Sequence, residues 1–172
     1  VFDDKSVIVE NPIVRDLGYM VNPSDAKVHK GHFEYESFRH RYIGYLTFAI
    51  NYWIHKLDVT GYHLVNLAIH IINGLIVYWL AILTFRTPFL YSSILRERST
   101  EIALFAGLLF ACHPLQTQAV TYIWQRVTSL STTFYCLALV LYILWRLTSK
   151  KPSSFATQMP ILFYFGSVIS AV

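Results

Sequence analysis

Residues 59–84, VTGYHLVNLAIHIINGLIVYWLAILT, place the tightest limit on the fold. These 26 residues include no Asp, Glu, Lys or Arg. As a helix rising ~1.5 Å per residue they reach ~39 Å, against a hydrocarbon core of ~30 Å, so the run predicts a membrane-spanning helix. It also carries His63, Asn66, His70 and Asn73, which at ~100° per residue share an arc of about 80°. Hydrocarbon offers such groups no hydrogen-bond partners, so the stripe must face a protein interior or a wet cavity. Hydrogen bonds between helices that only hold a bundle together are one outcome. The alignment of all four residues favours the other, a cavity lined by His63, Asn66 and His70.

Composition agrees with a membrane chain. Of 172 residues, 55% are hydrophobic and 14% charged, where soluble domains carry roughly 25% charged. The net charge is +4, but the basic residues are scattered and the aromatic ones lie in apolar runs, which excludes a nucleic-acid binder. Cys112 and Cys136 both fall in apolar runs and are expected as small core residues, without a disulfide or a metal role. The sequence opens at Val1 without Met and stops at Val172 inside an apolar run, so a fragment of a longer protein is expected.

Along the chain, residues 1–40 are polar, with turn signals at Asn11-Pro12 and Asn22-Pro23, and predict an ordered outer loop with short helical pieces. Residues 41–57 set Arg41, Gly44, Thr47, Asn51 and His55 on one stripe and predict an interfacial amphipathic helix. Residues 101–124 predict a span broken near 113–114, because Pro114 lacks a backbone donor and its ring crowds the preceding turn. Residues 127–147 predict another span. Residues 160–172 would make only ~20 Å of helix, a truncated span. The expected class is an all-α membrane protein, a polytopic helix bundle that is incomplete in this chain.

Charge sets the orientation. Residues 85–100 hold three Arg and one Glu, and residues 146–152 hold three basic residues and no acid. Lys and Arg in short loops mark the cytoplasmic side. Residues 1–58 and 113–126 then share the outer face. The second of these stretches, HPLQTQAVTYIWQR, puts His, Pro, Gln, Thr and Arg between two apolar runs. It reads either as a polar turn, with Pro114 starting a helix, or as a functional segment. His113 and Arg126 suit an anionic phosphate, since guanidinium is a planar fork of donors. A snorkelling side chain at the membrane boundary is the alternative for Arg126. The adjacent acids Asp3 and Asp4 suit a general base or a divalent cation, although such pairs more often cap helices or sit in solvated turns. No Gly-rich phosphate loop and no H-E-x-x-H zinc spacing is present.

Three stretches carry a resemblance: FDD with ENPIVRDLG, then RYIGYLTFAINYWIHKLDVTGYHLVNLAIHIINGLIVY, then LLFACHPLQTQAVTYIWQRVTSLSTTFYCLALVLY. Together they resemble a large bacterial membrane family that joins a multispan glycosyltransferase-C-type domain to C-terminal tetratricopeptide repeats. More distantly they are similar to the animal transmembrane and tetratricopeptide-repeat O-mannosyltransferases. The resemblance implies an integral multi-pass protein of the bacterial inner membrane. It also implies transfer of sugar from a polyprenyl-phosphate donor to a protein hydroxyl on the outer face.

By the same resemblance Asp3 and Asp4 supply the catalytic or metal-associated acid, with Mg or Mn as the divalent cation. Arg126, His113 and Arg41 face the donor phosphate. Gln118 stands where the animal branch commonly has an acid. Membrane lipid, a lipid-linked sugar and an acceptor protein are the implied partners, with further proteins bound through repeats that this chain does not contain. The rival reading is a non-catalytic membrane scaffold, or a subunit of a larger membrane complex, that keeps the fold. A transporter using the His/Asn stripe ranks third, since no charge lies in the middle of the long span.

Overall fold

The computed structural model describes residues 8–31 and 33–148. Asp3, Asp4 and residues 160–172 lie outside the described residues. Within them every regular element is helical.

The N-terminal part begins with two single-turn helices, α1 (Pro12–Arg15) and α2 (Gly18–Val21), and a 3-10 turn at Asp25–His29. Asn11 caps α1: its side chain accepts the Ile13 N–H at 2.9 Å, with Pro12 at the first helical position. Helices α3 (Phe33–His40) and α4 (Tyr42–His55) follow. The Tyr42 hydroxyl donates to the Met20 carbonyl at 2.5 Å and ties this layer to α4. Ile13, Val14, Phe38, Tyr45 and Phe48 form its buried core, which continues into Tyr62, Ile123 and Val127 at one end of the long helices.

Helix α4 is turned against expectation for a helix with a wet polar face. Its stripe points inward. A Cβ on Gly44 would lie 2.8 Å from Val127 Cγ2, and the His55 ring covers Gly61. Ile50, Trp53, Ile54 and Leu57 are the exposed large apolar residues of this segment, and of the stripe only His55, at its end, is exposed. In a chain surrounded by lipid the protein interior is where polar groups find partners, so the usual amphipathic order reverses.

Helix α5 (Val59–Thr84) starts at an Asp58 cap that accepts the Thr60 N–H at 3.0 Å, which holds the Asp58 carboxyl below the usual carboxylate range. It packs along both α6 (Ser99–Cys112) and α8 (Arg126–Thr148). Between those two, the chain breaks at His113, makes a 3-10 turn at Pro114–Gln116, forms the short α7 (Thr117–Thr121) and turns again at Ile123–Gln125. The break bends the helix path by 51°. Among the described residues two helices are long and apolar enough to cross a membrane, and three if the bent pair is one span.

The α5–α6 contact is built from small residues. Ala103, Gly107 and Ala111 recur at four-residue spacing on α6, the arrangement that lets helix backbones approach. A Cβ on Gly107 would sit 3.1 Å from the Gly74 carbonyl oxygen. Leu64, Ile71, Leu75, Trp79, Phe105 and Leu108 are exposed on the opposite faces, as lipid-facing residues are. Cys112 is exposed as well, contrary to the core position expected of it, because it is the last residue of α6, at the break before His113. Cys136 is half-buried against an apolar cluster of Ile76, Leu83 and Val140 between α5 and α8.

Candidate functional site

The break at His113 creates a backbone problem that α5 solves. Pro114 has no N–H to return to Phe110, and the Leu115 N–H donates to His113 Nδ1 at 3.2 Å instead of to Ala111. His70 Nε2 bonds the orphaned Ala111 carbonyl at 3.0 Å. His63 Nδ1 bonds the Val120 carbonyl at 3.1 Å, at the end of α7. Asn66 Nδ2 donates to the Tyr122 carbonyl at 3.1 Å, and Asn73 Nδ2 to the Ser129 carbonyl at 3.0 Å. Every residue of the stripe thus satisfies a carbonyl of the irregular segment or of α8. Asn66 and His70 are shut from solvent at 0% and 6% exposure. The cavity expected along His63, Asn66 and His70 is replaced by backbone contacts, since a broken helix inside lipid must find partners within the protein.

Arg126 is the centre of the arrangement. It is fully buried. Its Nε donates to Asn66 Oδ1 at 2.7 Å, and its two terminal nitrogens reach Asn51 Oδ1 at 2.9 Å, the Tyr62 carbonyl at 3.0 Å and the Thr47 carbonyl at 3.4 Å. These bonds use four of the five N–H donors of a guanidinium. The Phe48 and Tyr62 rings lie 4.6 Å and 5.6 Å from its carbon, within cation–π range. No acid pairs with it among the described residues. So closed a side chain neither snorkels nor presents donors to a phosphate in this arrangement.

Arg41 sits differently. Its guanidinium lies 5.5 Å from the Trp124 ring centre, and Trp124 stacks on Phe48 at 5.8 Å and meets Tyr45 edge-on. Burial pushes the Tyr45 hydroxyl above its ordinary range. A cavity of about 210 Å³ opens beside Arg41, lined also by Trp124, Gln125, Thr128 and Ser131. His113 is exposed, with Nδ1 engaged as a cap acceptor. Gln118 is exposed on α7. Among the described residues nothing joins His113 to Arg41 or Arg126. Nor do three or more His, Cys, Asp or Glu gather as metal ligands there. Sequence reasoning placed Asn51 on its stripe but gave it no site, and it gave none to the Ser and Thr that start the last span. Their signal was polarity at the membrane boundary.

The chain's homologues are protein O-mannosyl-transferases. It is 32% identical over 155 residues to one of Caenorhabditis elegans, covering 83% of this chain and 20% of that protein. It is 29% identical over 172 residues to protein O-mannosyl-transferase TMTC3 of Mus musculus, covering 94% of this chain and 16% of that protein. The Drosophila melanogaster relative Tmtc3 is 32% identical over 157 residues, 83% of this chain and 16% of its own length. The chain spans about a fifth or less of the length of these relatives. All are animal proteins, so the expectation of a bacterial membrane gains no support from them. No family model matches the chain, and no solved structure does.

Proposed function

We propose that this chain is the donor-binding part of a membrane glycosyltransferase that moves a sugar, mannose by the names of its homologues, from a polyprenyl phosphate to a protein hydroxyl on the outer face. Similarity to protein O-mannosyl-transferases over most of the chain supports the reaction class. The observation that carries the site is the cavity beside Arg41, a cation next to hydroxyl and amide groups at the end of the spans. In this reading Asp3 or Asp4 takes the proton of the acceptor hydroxyl as its oxygen attacks the anomeric carbon. The bond from that carbon to the phosphate oxygen breaks, and Arg41 offsets the charge left on the polyprenyl phosphate. Arg126 is a positioning residue, fixing α4 and the start of α8 so that Arg41 and Trp124 stand at the cavity. A Mg or Mn ion would be held by Asp3 and Asp4.

The test is glycosyl transfer by the full-length protein in membranes, comparing Asp3→Asn, Asp4→Asn and Arg41→Ala with wild type. Loss of the general base is expected to cost ~10²–10⁴-fold, and Arg41→Ala ~10²-fold or more. Wild-type rates in all three would sink the proposal. The scaffold reading draws on the closed hydrogen bonding of Arg126, Asn66 and His70, and those same wild-type rates, or no transfer at all by the intact wild-type protein, would favour it.

A further inference from the structure

We infer that a second site, at the opposite end of the helices, binds the headgroup and one chain of an anionic phospholipid. A cavity of about 370 Å³ lies where α5 ends, between α5, the first turn of α6 and the last turns of α8. Tyr78, Ile82 and Arg86 succeed one another at four-residue spacing along it. The groove therefore runs parallel to the helix axis for ~12 Å. Its polarity changes along that length. Trp79, Ile82 and Leu144 make apolar walls toward the middle of the bundle, while Arg86 and Thr100 stand at the outer end.

An apolar slot parallel to the spans that ends in a cation matches an acyl chain and its charged headgroup, and basic pockets between spans are a recurring form of such recognition. The Arg86 side chain is exposed and has no partner among the described residues, so its charge is available. Arg96 is engaged, its guanidinium 3.5 Å from the Tyr91 ring centre and donating to the Tyr91 carbonyl. Glu97 and Glu101 are the acids nearby in sequence; neither lines the cavity. Trp79, a wall of the groove, is 57% exposed, so an acyl chain in the slot would lie against its indole ring. The site is independent of the transfer reaction, being some 20 residues along α5 from the Asn66–Arg126 contact.

The experiment measures lipid retained by the full-length protein from nanodiscs of phosphatidylcholine with phosphatidylserine of the same acyl chains, by native mass spectrometry. Wild type is expected to retain phosphatidylserine preferentially. Arg86→Gln is expected to lose that preference about five-fold, and Ile82→Trp, which fills the slot without changing charge, is expected to displace lipid of either kind. Arg98→Gln, a loop arginine outside the cavity, is expected to keep the preference. An unchanged preference in Arg86→Gln overturns the site. So does an equal loss in Arg98→Gln, which would mean diffuse loop charge, or occupancy unaffected by Ile82→Trp, which would mean that another segment of the protein fills the slot. Displacement of phosphatidylserine by millimolar inorganic phosphate would likewise assign the cation to free phosphate instead.

Discussion

The two ends of the α5–α8 pair are held together by different physics. At the Asn66 end, four donors of Arg126 and the amides of Asn51 and Asn66 are shut inside an aromatic core. At the Leu83 end, a thin seam of Ile76, Leu83 and Val140 closes the helices beside an open slot. Lipid tails are as apolar as leucine, so apolar contacts between spans gain little beyond packing, whereas a polar group in the same place must be satisfied or it costs dearly. The first end is therefore specified and stiff. The second is adjustable, which suits a boundary occupied by lipid.

Substitutions can break this contrast. Arg126→Ala should be the most damaging, because it leaves the buried side-chain oxygens of Asn51 and Asn66 without their donor and removes two further bonds to backbone carbonyls. At ~1–3 kcal/mol for each buried group left without its partner, less relaxation, the loss should reach ~4 kcal/mol. Thermal unfolding in detergent measures it, and a loss no larger than at the apolar seam would remove the distinction between the ends.

Gly107→Val comes next. The added carbon meets the Gly74 carbonyl at 3.1 Å and Tyr78 Cβ at 3.2 Å, so overpacking should cost ~1–3 kcal/mol. Gly74→Ala, whose nearest contact would be 3.6 Å, should melt within ~0.5 kcal/mol of wild type on the same assay, as an unstrained substitution does. Equal effects at the two glycines would show that the close approach is not there.

At the apolar seam, Leu83→Ala should cost ~1 kcal/mol, packing alone without a large transfer contribution. His70→Ala, which frees one carbonyl at the helix break, should cost ~0.6 kcal/mol, the average measured for hydrogen bonds between spans.

The smallest effect concerns Asp58. Its carboxyl is held low by the Thr60 backbone N–H, so the cap contributes above the ordinary carboxylate pKa of ~3.9 and is lost as pH falls through the lower, folded value. The melting temperatures of wild type and Asp58→Ala should differ at pH 7 and converge as the pH is lowered toward 2. A gap that persists in acid would detach the cap from its charge.

The all-helical class was legible because apolar runs and their periodicity are local properties. The stripe of His63, Asn66, His70 and Asn73 was legible as a stripe for the same reason. What it faces was not, because the carbonyls it bonds lie 41 to 57 residues away. Arg126 shows the limit most clearly. At the edge of an apolar run a lone arginine reads equally as a phosphate ligand or a snorkelling side chain. Its burial depends on Asn51, 75 residues distant, and on an aromatic core assembled from the N-terminal layer. The inward turn of α4 was hidden similarly: the period shows which residues share a face, and only the surroundings decide which face is inside.

The bent segment carries a consequence for biosynthesis. Its unpaired carbonyls at Ala111 and Val120 cannot rest in hydrocarbon by themselves, and each is met by a donor from α5. Translation runs from the N-terminus, so α5 leaves the ribosome and can reach the bilayer ahead of the bent segment. The order of the chain thus supplies a template ahead of the piece that needs it. Moving the broken segment upstream of α5 by circular permutation would remove that advantage without deleting one contact from the finished molecule.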